Sequence, residues 1–272
     1  MRYHILAVSA ILSLVTGCGG GGGGGTSLPP VTNASPGGIW VGTDPLSPGH
    51  PVLGLVAETG ELLFLDAGWT SGVYYVGQFK TDGSSINATV DAITTPGSQY
   101  PDRATSGTGT LGGHIVERTS IDGNVIINTD PATSIAGGQV FSTSLSLTFS
   151  DQYNRASSLT TIAGNYSSTY PDNYGTHTLA LNISSDGELF AQDASTGCVI
   201  NGMVSTIDTR FNLYAVTIAT LNCATELGVP DGAQLKGLAT LNNSQSPEYV
   251  IIGVSDTASP KKAAVMTSMN RM

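Results

Sequence analysis

Basic residues are scarce in this chain: 10 Lys and Arg stand against 20 Asp and Glu in 272 residues. That balance disfavours nucleic acid and anionic lipid headgroups as partners, since both need clustered cations. Charge of either sign is low, at 11%, and aromatics make up 7%. No apolar run reaches the ~20 residues of a membrane-crossing helix. HExxH, GxSxG and Walker patterns do not occur. The 3 cysteines form no CxxC pair, which argues against zinc. No cofactor is implied, and His50, His114 and His177 read as residues at strand and loop ends.

What is abundant is glycine, 35 residues, with Ser, Thr, Asn and Val. This composition, without helical periodicity, points to β structure. From residue 38 onward there is enough chain for one large or two ordinary domains.

The N-terminus has its own logic. Arg2 and the start amine precede an apolar run, Ile5 to Val15, followed by Thr16-Gly17-Cys18 and seven glycines, Gly19 to Gly25. The run fits a signal peptide over residues 1–17. Val15-Thr16-Gly17-Cys18 resembles the lipobox of bacterial lipoproteins. The resemblance implies cleavage before Cys18, a diacylglyceryl group on its thiol and an acylated amine. Gly19, where an Asp would favour retention at the inner membrane, implies the outer membrane of a Gram-negative cell. Residues 18–37 read as the lipidated Cys18 and a Gly/Pro linker, with an r.m.s. span of roughly 25 Å. Removing Arg2 leaves 9 basic residues against 20 acidic ones, a mature charge of about −11.

The body repeats itself. Gly60-Glu61-Leu62, Phe64 and Asp66-Ala67 recur as Gly187-Glu188-Leu189, Phe190 and Asp193-Ala194. Gly38-Ile39-Trp40 matches Gly164-Asn165-Tyr166, and Gly77, Asn87 and Gly112 match Gly202, Asn212 and Gly237. Matches in conserved order with a drifting offset indicate a duplication, with copies over 38–151 and 157–272. Each copy parses into about eight short strands. Phe141, Leu145, Leu147 and Phe149 alternate with Ser142, Ser144, Ser146 and Thr148, one dry face and one wet. Asp82-Gly83, Asp122-Gly123, Asp186-Gly187 and Asp231-Gly232 predict tight turns. Consecutive hairpins favour a meander, and eight strands can close and remove their edges. The expectation is two tandem antiparallel up-and-down barrels, with a pair of sandwiches as the alternative. Between the copies, Ser157 or Ser158 is placed to cap one helical turn carrying Leu159 and Ile162, ended by Gly164 and plugging the second barrel.

Cys198 and Cys223 remain once Cys18 is lipidated, and an exported protein oxidises such a pair. Their midpoint falls between Arg210 and Phe211, beside a turn expected at Asp208-Thr209-Arg210. In a symmetric hairpin they would oppose each other directly, within disulfide reach.

Other motifs read blandly. Gly107 to Gly112 spells GxGxxG but lacks the following helix of a nucleotide site, so it reads as a strand. Asp122-Gly123-Asn124 lacks the rest of a calcium loop. Asp66 and Asp193 read as carboxylates serving turns. Trp69, Tyr74 and Tyr75 in copy one, and Tyr170 and Tyr174 beside Tyr166 in copy two, form a candidate binding surface.

Gly38-Ile39-Trp40 resembles the GxW that opens lipocalin barrels. Gly197-Cys198, Asn212-Leu213-Tyr214, Cys223 and Gly237-Leu238-Ala239 resemble a pattern of exported proteobacterial lipoproteins, a likeness that brings no activity with it. The expectation is a non-enzymatic outer-membrane lipoprotein whose barrels bind a partner protein or small ligand. The alternatives are a structural or adhesive envelope component, or a hydrolase of cell-wall or glycan substrates.

Overall fold

The structure, a computed structural model, describes residues 32–43, 51–67, 72–172, 175–223, 230–257 and 262–272. Cys18, His50, Trp69 and Tyr174 lie outside them. The first half contributes β1 (Gly38–Thr43), β2 (Pro51–Val56), β3 (Glu61–Asp66), β4 (Val73–Asp82), β5 (Ser85–Thr94), β6 (Ser106–Val116), β7 (Ser120–Thr129) and β8 (Val140–Phe149). The second contributes β9 (Gly164–Asp172), β10 (Gly175–Ile183), β11 (Glu188–Asp193), β12 (Val199–Thr206), β13 (Tyr214–Leu221), β14 (Gln234–Asn242), β15 (Tyr249–Asp256) and β16 (Ala263–Arg271). Each set pairs with its sequence neighbours in antiparallel fashion and closes, β1 on β8 and β9 on β16. The chain is therefore two tandem eight-stranded meander barrels.

Closure follows from period two. In β8 the residues Leu145 and Leu147 are buried while Ser142 and Ser146 are exposed. Inward side chains fill each interior: Trp40, Phe64, Tyr75, Phe79 and Leu111 in the first barrel, Tyr166, Ile183, Tyr214 and Leu241 in the second. Burying an aliphatic or aromatic side chain stabilises by roughly 1.5–3 kcal/mol.

Some strands break the alternation, and they mark where the barrels meet. In β3, Leu62 and Phe64 point inward, while Leu63 is buried on the outer face. In β15, Val250, Ile252 and Val254 fill the interior, and Ile251 joins an outer cluster with Ile39, Leu55, Tyr153, Leu213 and Leu238. A second outer cluster joins Tyr74 and Ile93 to Ala264. Gly253 leaves the room Leu63 occupies: a Cβ there would stand 2.7 Å from the Leu63 Cδ2. An outer sheet face that is apolar must be covered, and each barrel covers the other.

One end of each barrel is sealed from upstream. Residues expected as linker pack here: Pro36 and Gly37 are buried and Ala34 packs on the first core. Ala34 N–H donates to Gly83 O at 2.8 Å, and Trp40 Nε1–H donates to Pro36 O at 3.0 Å. The linker therefore stops short of residue 37. In the second barrel the seal is α1 (Leu159–Ile162), capped by Ser158, whose Oγ accepts from Thr161 N–H at 3.1 Å. Ile162 is fully buried in the core. Tyr166 Oη–H donates to Ile162 O at 2.6 Å. Trp40 and Tyr166 thus perform one operation, each donating to a carbonyl four residues upstream. Phe211 of the second barrel's sealed end stacks on Tyr153 at 4.8 Å. Lys262 reaches Asp91 near the opposite ends, termed open for their longer connections although Tyr100 and Ala104 of the β5–β6 connection pack into the first core. The barrels stand side by side with both sealed ends on the same side.

Ladder partners make the duplication exact in topology. Walking the wall from Trp40 through Gly54, Phe64 and Tyr75 parallels Tyr166, Leu181, Ala191 and Ile200. On their other sides Trp40 and Tyr166 face Phe149 and Arg271, where each barrel closes. This register keeps Gly60 with Gly187, Asp66 with Asp193 and Gly77 with Gly202. It corrects three sequence matches. The counterpart of Phe64 is Ala191, that of Asn87 is Ala215, and that of Gly237 is Leu111. The β12–β13 connection is longer than the β4–β5 turn, which shifts the count. Asp122-Gly123 is also no turn: it lies inside β7, where Gly123 faces Gly113 across β6 and lets the backbones close up. The turn is at residues 117–119, with Arg118 at φ +52°.

Candidate functional site

The open ends collect the buried carboxylates. In the first barrel Asp66 closes β3 with no exposed surface, and Tyr100 and Asp102 lie on the β5–β6 connection at 3% exposure each. Thr129 Oγ1–H donates to Asp102 Oδ2 at 2.5 Å, and Ala104 N–H donates to Oδ1 at 3.2 Å. Burial pushes the Asp102 carboxyl up, but the bonds from Thr129, Ser134 and Ala104 outweigh it and hold it below the ordinary carboxylate value. Burial raises the Tyr100 phenol, and the carboxylates of Asp66 and Asp102 raise it further. Tyr100 stays neutral, stacked on Phe141 at 5.5 Å.

The second barrel places Asp193 where the first has Asp66. Its Oδ1 accepts from Ser195 N–H at 2.8 Å, from Thr196 N–H at 3.3 Å and from the Ser195 hydroxyl. The carboxylate satisfies the donors of its own turn, as the sequence led us to expect. His177, 7% exposed, comes in from β10 with Nδ1 2.6 Å from Ser195 Oγ. Since the Ser195 hydroxyl gives its proton to Asp193, His177 Nδ1–H donates to Ser195 Oγ. The chemical order is His–Ser–Asp. A nucleophilic serine needs the imidazole between hydroxyl and carboxylate, taking the hydroxyl proton. Here the hydroxyl is the middle link, tying the β10 histidine to the turn that follows β11, with His177 Nδ1 also 3.8 Å from Asp193 Oδ2. His177 is thus a buried residue, not the surface residue its place at a strand end suggests. Its match in the sequence, His50, lies outside the described residues.

Cys198 and Cys223 are bonded, with Cα atoms 4.1 Å apart, at the same end. The route differs from a symmetric hairpin. The ladder pairs Val199 with Leu221, so its next position would set Cys198 opposite Asn222. Asn222 adopts φ +55°, turns the chain, and swings Cys223 back to the sulfur. Asn tolerates that left-handed conformation better than most residues.

The aromatic candidates separate. Tyr75 points into the first interior at 2% exposure. Tyr74, on the opposite face of β4, is 4% exposed and lies between the barrels, where its Oη accepts from Met266 N–H at 3.2 Å. β16 pairs with β9 only at Asn270 and Arg271, and Tyr74 serves an N–H of the stretch beyond. Neither tyrosine offers a surface to a partner. Tyr170 contributes backbone to β9, facing His177. GxGxxG lies within β6.

Sequence reading missed the contacts that join the barrels at the sealed side. Tyr153 Oη–H donates to Glu58 Oε1 at 3.0 Å, and Arg118 lies 4.7 Å from the Phe211 ring centroid. Asn212 reaches across to β14, donating to Leu241 O at 2.7 Å and accepting from Leu241 N–H at 3.3 Å. The signal for this in the sequence was an asparagine two residues before β13. Among the described residues no group of three or more His, Cys, Asp or Glu is arranged to hold a metal ion, and no helix is long and apolar enough to cross a membrane. The chain matches no protein-family model, no curated protein and no solved structure.

Proposed function

We propose that the chain is an outer-membrane lipoprotein, anchored through acylated Cys18, whose two barrels bind a partner protein or small ligand without turning it over. The observation that carries this reading is the polarity of the body. The segment leading in from the N-terminal side joins at the sealed end of the first barrel, where Ala34 and Asn33 bond Gly83. The longer connections, the disulfide and the buried carboxylates are at the opposite end. An anchored body of this polarity turns its connections outward, and binding sites favour such segments on rigid scaffolds. The reading without catalysis is supported by the His–Ser–Asp order around Ser195. It is also supported by Asp66 and Asp193 sitting in different barrels, whereas a glycosidase needs two carboxylates in one cleft.

The anchor is tested by expressing the full chain and its Cys18→Ser variant with labelled palmitate in a Gram-negative host. The wild type is expected to take the label and fractionate with the outer membrane. The variant should lose the label and leave that fraction. An unlabelled wild type overturns the anchor.

A further inference from the structure

We infer that the cleft between the open ends of the two barrels is a binding site for neutral oligosaccharide. This deepens the reading above by naming the ligand class and the place. The cleft measures about 720 Å³, within the range of small-molecule sites. One wall is the outer face of β5, β6 and β7 where these strands reach the open end, and the other is the start of β16, Lys262 to Ala264.

Strand alternation dictates the chemistry of the first wall. Across the ladders Asp91, Thr108 and Asn128 form one outward row. Ser106 stands two residues before Thr108 on the same face and donates to Asp130 Oδ2 at 3.4 Å. Thr108 and Asn128 are exposed. Hydroxyls and an amide both donate and accept, which matches a ligand whose every hydroxyl does the same. Pro96 and Pro131 add apolar rings to the lining, which can pack against the C–H groups of a pyranose.

Charge excludes the main competitors. The cleft's Lys262 is committed to Asp91, and Asp130 adds a negative charge, so among the described residues of the cleft a phosphate or nucleotide finds no free cation. An extended peptide would need an unpaired strand edge, but β5, β6 and β7 are hydrogen-bonded on both sides. A cleft of this volume accepts about two or three sugar rings.

The test uses the full chain purified in detergent, titrated with maltotriose, cellotriose and triacetylchitotriose to about 1 mM, with binding read by calorimetry and ligand-observed NMR. At least one trisaccharide should bind. Thr108→Trp, which fills the cleft from an exposed strand position, should weaken it at least ~10-fold, a loss of about 1.4 kcal/mol. Asn128→Ala should weaken it less, and Ser205→Trp, exposed on β12 outside the cleft, should leave it unchanged. Absence of binding by a wild type that melts cooperatively overturns the proposal, as does full binding by Thr108→Trp. A chain that takes palmitate but no sugar sinks the cleft alone, and one that takes sugar but no palmitate sinks the anchor alone.

Discussion

At the residue scale, the seal of the second barrel depends on one phenol. Tyr166 donates to Ile162 O, accepts from Arg271 Nη2–H at 2.7 Å, and has the Arg271 guanidinium 5.2 Å from its ring centroid. Arg271 also donates to Thr161 O at 2.7 Å and pairs with Glu248, so one cation ties the capped turn to the last strand. Tyr166→Phe keeps the ring and removes the hydroxyl. It leaves a buried carbonyl and part of a guanidinium unserved, and should cost about 1–3 kcal/mol in denaturant unfolding. Equal stability would mean that water replaces the hydroxyl. Trp40 was legible in the sequence as the opening of a barrel, and Tyr166 as its match. Their shared bond to a carbonyl four residues back was not, because it needs the upstream segment folded beneath the ring.

At the element scale, the β12–β13 hairpin separates what spacing can say from what backbone geometry adds. Symmetry about the turn brought Cys198 and Cys223 together on paper, but the ladder sets Asn222, one position short of Cys223, opposite Cys198, and Asn222 restores the match. The link closes a separation of 25 residues. The double variant Cys198→Ser, Cys223→Ser should lose roughly 3–4 kcal/mol in the chain-entropy account. Reductant should reproduce that loss in the wild type and leave the double variant unmoved. The duplicated glycines belong to this scale too. A Cβ on Gly77 or Gly202 would stand 2.3 or 2.2 Å from the carbonyl oxygen of the neighbouring strand. These positions repeat because in both walls the neighbouring strand comes closer there than a side chain permits.

At the scale of the whole molecule, buried phenols hold the barrels shut and together. Burial raises Tyr74 and Tyr153 at the junction, Tyr100 at the first open end, and Tyr166 and Tyr214 at the second seal. For Tyr153 the Glu58 carboxylate adds to the rise. The sign follows directly. A folded value above the ordinary one near 10 means the native state binds its proton more tightly than the unfolded chain does. Stability from these groups is whole below pH ~10 and is lost as pH climbs through the folded values. Alkaline titration should therefore show phenolate absorbance from these tyrosines only as the circular dichroism of the barrels collapses. Gradual ionisation with the fold intact would contradict their burial. Tyr74 also shows why a surface reading does not hold for Tyr74 and Tyr75: neighbouring tyrosines on a strand face opposite ways, and here one way is the core and the other is the second barrel.

Much was written in local sequence. Period two, tight-turn residues, the repeated Gly60 and Gly187 and the Ser158 cap determined strands, hairpins, two copies and a plug, because each depends on neighbours a few positions apart. The long apolar stretches in β3 and β15 carried information that sequence alone leaves ambiguous. A strand apolar on both faces is buried on both, but nothing local says by what. Tertiary structure decided that the other barrel covers it, that Gly253 admits Leu63, that Ser195 stands between His177 and Asp193, and that β5 to β7 meet β16 across a polar cleft. Those are contacts between segments far apart in the chain, and their selection rests on shape and charge complementarity that appears only once both walls have closed.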